Sequence, residues 1–80
     1  MNKFEVGKWY SPEDDGFEAI QIQKRTDHFI FVKNETGCEW RMKIKNDGKQ
    51  EFVTDSSVPK RWRQAFTYCV EYEVPDYERR

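Results

Sequence analysis

A chain of 80 residues makes one domain. At that size folding hides only about 60–65% of the surface the unfolded form exposes, which excludes a deep catalytic cleft beside the core. A net charge of −1 argues against a general nucleic-acid coat protein, and a core poor in aliphatics must lean on its aromatics, 16% of the chain.

The chain opens without an apolar run of signal-peptide length, and no segment approaches membrane-spanning length. A cytoplasmic location is expected, and no membrane contact. Residues 3–10 read as a first strand, with Gly7 at a bulge or close approach. Residues 11–16 form a polar, acidic loop with turn chemistry. Residues 17–25 read as a second strand, Ile20 and Ile22 on one face and Gln21 and Gln23 on the other.

Thr26 and Asp27 make a short connection. Residues 28–33 are apolar on both faces and read as a central strand. One face is expected against the core, the other under a loop or the terminal segment. Asn34-Glu35-Thr36-Gly37 is a hairpin loop whose glycine suits positive φ. Asn34-Glu35-Thr36 also matches a glycosylation sequon, read as an ordinary loop where no export signal precedes it.

Residues 38–45, Cys38-Glu39-Trp40-Arg41-Met42-Lys43-Ile44-Lys45, alternate apolar and charged without a break. Period two marks a strand with one face in the core and one in water. Asp47-Gly48 then signals a tight hairpin, and residues 49–54 are its return strand. Asp55, Ser56 and Pro59 are the chemistry of a helix start, so a short helical or 3₁₀ turn is expected over residues 58–63.

In residues 66–74, Phe66, Tyr68, Val70, Tyr72 and Val74 share one strand face. A helix would give a poorer stripe, and the β-branched and aromatic content favours a strand. Pro75 ends it, and residues 76–80 are expected to fray. The fold class is therefore mainly β: a small antiparallel meander barrel with one helical turn before the last strand. Val58-Pro59-x-x-Trp62 resembles the Pro-aromatic turn that SH3-like barrels carry at that point, and the resemblance implies an SH3-like barrel. The acidic aromatic loop of peptide-binding SH3 domains has no counterpart, because residues 11–16 contain no aromatic.

Charge is uneven. Residues 41–63 hold seven Lys/Arg against three Asp/Glu, a balance of +4, whereas the first forty residues hold five against eight, −3. Arg41, Lys43 and Lys45 project from one strand face about 6.5–7 Å apart, near the phosphate spacing of an extended nucleic-acid strand. Lys49 on the return strand could join them, and Lys60, Arg61 and Arg63 flank Trp62. Such a set could bind a protein surface, or pair with phosphates and stack a base. The ordinary alternative is a solubilising face, with Glu39 and Glu51 pairing across the hairpin and Trp62 plugging one end of the barrel. The acidic end, with Glu71, Glu73, Asp76 and Glu78 beside Tyr72 and Tyr77, could meet a basic partner or a second copy.

No catalytic residue, cofactor or metal site is expected. His28 beside Asp27 lacks a converging nucleophile, and Cys38 and Cys69 lack ligand spacing and read as reduced thiols. Glu13-Asp14-Asp15-Gly16 lacks the alternating oxygens of a calcium loop. The chain also resembles small proteins of Gram-positive gut bacteria, their phages and their conjugative elements. The likeness lies in Phe4-Glu5-Val6-Gly7-Lys8, in Glu39-Trp40-Arg41-Met42-Lys43-Ile44 and in residues 55–68. That resemblance implies a mobile-element setting without naming an activity. The expectation is a non-enzymatic binding module with a protein partner, with nucleic-acid binding as the alternative, monomeric or weakly dimeric.

Overall fold

The computed structural model describes residues 2–13, 18–55 and 57–74. Seven strands follow one another: β1 (Trp9–Pro12), β2 (Ile20–Arg25), β3 (Phe29–Asn34), β4 (Glu39–Lys43), β5 (Lys45–Asn46), β6 (Glu51–Thr54) and β7 (Thr67–Glu73). They form one antiparallel sheet in the order β4-β3-β2-β1-β7-β6-β5. The two ends of that order, β4 and β5, are joined through Ile44 alone, so the sheet curls into a nearly closed barrel. A single 3₁₀ turn, Lys60–Trp62, precedes the last strand. The expected fold class is the one found.

Alternation places the core. Ile20 and Ile22 of β2, Ile30 and Val32 of β3, Met42 of β4, Val53 of β6 and Tyr68 of β7 are buried, and Trp40, Ile44 and Val70 pack against them. Phe4 and Tyr10 cross edge-to-face, with ring centroids 4.9 Å apart and planes at 88°. Each such ring removes roughly 150–250 Å² from water, worth about 4–6 kcal/mol before ordering entropy.

The first strand departs from expectation. Residues 3–10 are not one strand, because Gly7 sits at φ +90°, a turn conformation that breaks extension. The Gly7 N–H donates to Ile22 O at 2.8 Å, and the strand begins only at Trp9. Ser11 and Pro12, expected in the loop, belong to β1; Pro12 is tolerated there because the β1–β7 register shifts between Tyr10 and Pro12. Residues 14–16 of that loop and Phe17, the expected start of the second strand, lie outside the described residues, as do residues 75–80.

Ahead of Gly7, residues 2–4 run beside the start of β6 and bury Phe4 in the core. Asn2 bridges Gln50 in parallel, with Asn2 N–H donating to Lys49 O (3.0 Å) and Glu51 N–H donating to Asn2 O (2.9 Å). Glu51, expected to pair with exposed cations across the hairpin, is instead buried at 4% exposure. Its Oε1 accepts from Phe4 N–H (2.8 Å) and Arg25 Nη1 (2.7 Å), and its Oε2 from Arg25 Nη2 (2.9 Å). Burial alone would push the Glu51 carboxyl up. The guanidinium and the Phe4 N–H outweigh burial and hold it below the ordinary range.

On the face of β3 turned from the core, Phe29 and Phe31 are half-buried; residues 75–80 of the terminal segment expected there lie outside the described residues. Arg41 lies over Phe29 at 4.8 Å and Lys24 over Phe31 at 5.8 Å, so cations from the flanking strands cover the aromatic face.

Candidate binding groove

β4 keeps the alternation read from its sequence. Trp40 and Met42 turn inward, half-buried and buried, while Glu39, Arg41 and Lys43 stay exposed. Beyond the bend at Ile44, Lys45 is exposed as well. Asp47-Gly48 then turns the chain. The Asp47 carboxylate accepts from Lys49 N–H (2.9 Å) and Gln50 N–H (3.0 Å), and these bonds hold that carboxyl below its ordinary range.

This hairpin is paired only near its tip, where Lys45 faces Phe52 and Asn46 faces Glu51. Past that point its arms part. β4 pairs with β3 and β6 pairs with β7. A groove of about 680 Å³ fills the gap. It wraps the edge of β4, with Phe29, Arg41 and Lys43 on the outer side and Trp40 and Met42 on the inner. Lys45 marks its apex, and Thr54, Asp55 and Ser57 form the opposite wall. Asp55 is held in place by accepting from Ser57 N–H (2.9 Å) and Ser57 Oγ (2.6 Å). Of the helix-start residues, Asp55 builds this Asx turn and Ser56 lies outside the described residues; the 3₁₀ turn itself begins after Pro59 with no side-chain cap.

Trp40 also walls a neighbouring cavity of about 280 Å³, with Glu18, Asn34, Asp55, Phe66 and Tyr68. Burial pushes the Tyr68 phenol up to about 12, helped by the carboxylates of Asp55 and Glu18. The Trp40 indole nitrogen is buried and has no hydrogen-bond partner among the described residues.

The basic residues divide into two groups. Arg41, Lys43 and Lys45 line the groove, and the turn residues Lys60, Arg61, Trp62 and Arg63 do not. Lys60 and Arg61 are exposed, and Trp62 is 49% exposed, so it does not plug the barrel. Arg63 Nε donates to Val58 O at 3.3 Å and helps fold the turn. Lys49 sits in the turn between β5 and β6 rather than on the return strand.

At the acidic end, Glu73 pairs with Lys8 (3.3 Å) and Glu71 accepts from Gln50 Nε2 (3.2 Å). Asp76, Tyr77 and Glu78 lie outside the described residues. His28 is exposed at the β2–β3 turn. Both cysteines are free, and burial pushes the Cys69 thiol up, away from the thiolate that a nucleophile needs. Among the described residues, no three of His, Cys, Asp and Glu converge as a metal site requires, and no helix is long and apolar enough to cross a membrane.

Sequence reading found Arg41, Lys43 and Lys45 but missed the opposite wall, Thr54, Asp55 and Ser57. One signal was present: an eight-residue outgoing arm meets a six-residue return, so part of the outgoing arm must pair elsewhere. Compared with models of protein families, with curated proteins and with solved structures, the chain matches none.

Proposed function

We propose that this chain is a non-enzymatic binding module that works through protein contacts at the β4 groove. The observation that carries the reading is the groove itself. It combines a large ring, a thioether and three cations at an edge where the sheet is not closed. Interfaces favour aromatic, Met and Arg side chains such as Trp40, Met42 and Arg41, and their polar rims accommodate lysines such as Lys43 and Lys45. Burial raises the Cys69 thiol away from the thiolate that cysteine catalysis needs, which supports a binding role. The likeness to small proteins of bacterial mobile elements supports a cytoplasmic accessory role.

The test is affinity capture with the full chain and with a variant carrying Arg41→Glu, Lys43→Glu and Lys45→Glu. The expected result is a set of proteins retained by the parent, lost with the variant and unaffected by nuclease. Identical capture by both proteins would refute the reading.

One observation favours a second reading, nucleic-acid binding: Trp62 is exposed and directly follows exposed Lys60 and Arg61. A ring flanked by cations can stack a base and pair with phosphates. Oligothymidylate binding would then weaken steeply with salt, about 0.7 log units per log unit of salt for each phosphate contacted. Absence of binding at low salt would remove it.

A further inference from the structure

The parted hairpin leaves identifiable backbone groups without a strand partner. Two bonds fix the parity of the β3–β4 ladder. Asn34 N–H donates to Cys38 O at 3.0 Å and Ile44 N–H donates to His28 O at 2.7 Å. The register between them is unbroken. In an antiparallel ladder, hydrogen-bonded and non-bonded pairs alternate. Trp40 and Met42 therefore direct their N–H and C=O groups to β3, and Glu39, Arg41 and Lys43 direct theirs away from it, those of Arg41 and Lys43 into the groove. The far wall obeys the same parity. Asp55 N–H donates to Phe66 O (3.3 Å) and Val53 pairs with Tyr68, so Thr54 turns its backbone groups toward the groove. Had the tip register continued, Lys43 would face Thr54. Instead a row of donors and acceptors stands open on β4, which is the template for another strand.

We infer that the groove accepts an extended acidic segment of a partner protein as an added strand along β4. This rests on the protein-binding reading above and specifies its mode. Side chains of the added strand would alternate between the two faces of β4. Those on the outer face meet Arg41 and Lys43, with Lys45 at one end, and must be carboxylates opposite these cations, whereas Glu39 at the other end of β4 disfavours a carboxylate there. Those on the inner face meet Trp40 and Met42 and so must be apolar. The five residues of β4 set the length of the segment, about 17 Å. A second copy presenting its own β4 offers one carboxylate, Glu39, against Arg41 and Lys43, whereas an acidic segment offers one to each cation. A phosphate backbone could meet the cations but offers no row of N–H and C=O groups to the Arg41 and Lys43 amides.

The test uses the full chain, ¹⁵N-labelled, with the blocked peptide Glu-Val-Glu-Val-Glu as probe. Binding is expected to slow hydrogen exchange at the Arg41 and Lys43 amides. The double change Arg41→Glu, Lys43→Glu is expected to weaken binding about fivefold or more, from two reversed cross-strand pairs. If that variant loses its native amide spectrum, Lys43→Gln serves in its place with a smaller expected loss. The same peptide N-methylated at alternate residues keeps the charges but loses the ladder, and is expected to bind at least about tenfold more weakly. Equal binding of the methylated peptide would overturn strand addition while leaving protein contact through the basic face intact. No binding of either peptide would also overturn it. Oligothymidylate shifting the same amides in that case would move the reading to nucleic acid.

Discussion

Replacing Glu51 by Gln is expected to cost the fold about 3 kcal/mol. The carboxylate is buried, and it holds three charge-assisted bonds, two from Arg25 and one from the Phe4 amide. Gln keeps one acceptor for Phe4 N–H but turns an NH₂ donor toward Arg25 Nη2, which stood 2.9 Å from an oxygen. Breaking a buried pair by removing one partner typically costs about 3–5 kcal/mol. The lower end applies because the Arg25 side chain is 23% exposed and can recover some hydration. An 80-residue domain has only about 4–12 kcal/mol in total, so the melting temperature is expected to drop by roughly 12–24 °C.

The pH dependence carries the same reasoning. The folded Glu51 carboxyl titrates below its ordinary value of 4.5, so its stabilisation is complete above that value and is lost as pH falls through the folded value. Urea unfolding followed by tryptophan fluorescence is the assay, on parent and Glu51→Gln, at pH 7 and about pH 2.5. The gap is expected to be full at pH 7 and to narrow in acid. A gap below about 1 kcal/mol at pH 7, or one of equal size at both pH values, would refute the argument.

Gly7→Ala is expected to cost about 1–2 kcal/mol in urea unfolding. A Cβ there meets no neighbour within 4 Å, so the whole penalty is backbone strain at φ +90°. Arg41→Ala removes a cation from over Phe29 at an exposed position and is expected to cost about 0.5–1 kcal/mol, read by the same unfolding curves. Tyr68 stays neutral in the folded chain to about 12 while an unfolded phenol ionises near 10, so stability is expected to hold up to about pH 10 and fall above it. Tyr68→Phe should flatten that fall, measured by urea midpoints from pH 9 upward; an unchanged slope would count against the burial of that phenol.

Much of this molecule is legible in side-chain periodicity. The alternation through Trp40, Met42 and their charged neighbours gives the two faces of β4. The five apolar positions from Phe66 to Val74 give β7, although tertiary packing buries Tyr68 alone to completion. Proline and an aromatic in Val58-Pro59-x-x-Trp62 give the 3₁₀ turn. What escaped reading has no period. Glu51 falls on an inward position beside Val53, and its partner Arg25 lies 26 residues away on β2, which no local pattern links to it. Pro12 reads as a loop residue because proline suits turns, yet a register shift lets it join a strand. The groove escaped for a related reason. Side-chain alternation continues from Glu39 to Lys45 straight through the bend at Ile44, whereas the open feature is a backbone edge, which side-chain pattern does not report.

The open edge of β4 is the central claim, and amide hydrogen exchange on the free protein tests it most directly. Trp40, Met42 and Ile44, bonded to β3, are expected to exchange slowly. Glu39, Arg41 and Lys43, between them in sequence, are expected to exchange orders of magnitude faster. Uniform protection from Glu39 to Ile44 would mean that the barrel is closed along this edge, and the groove, its occupant and the proposed mode of binding would all be contradicted.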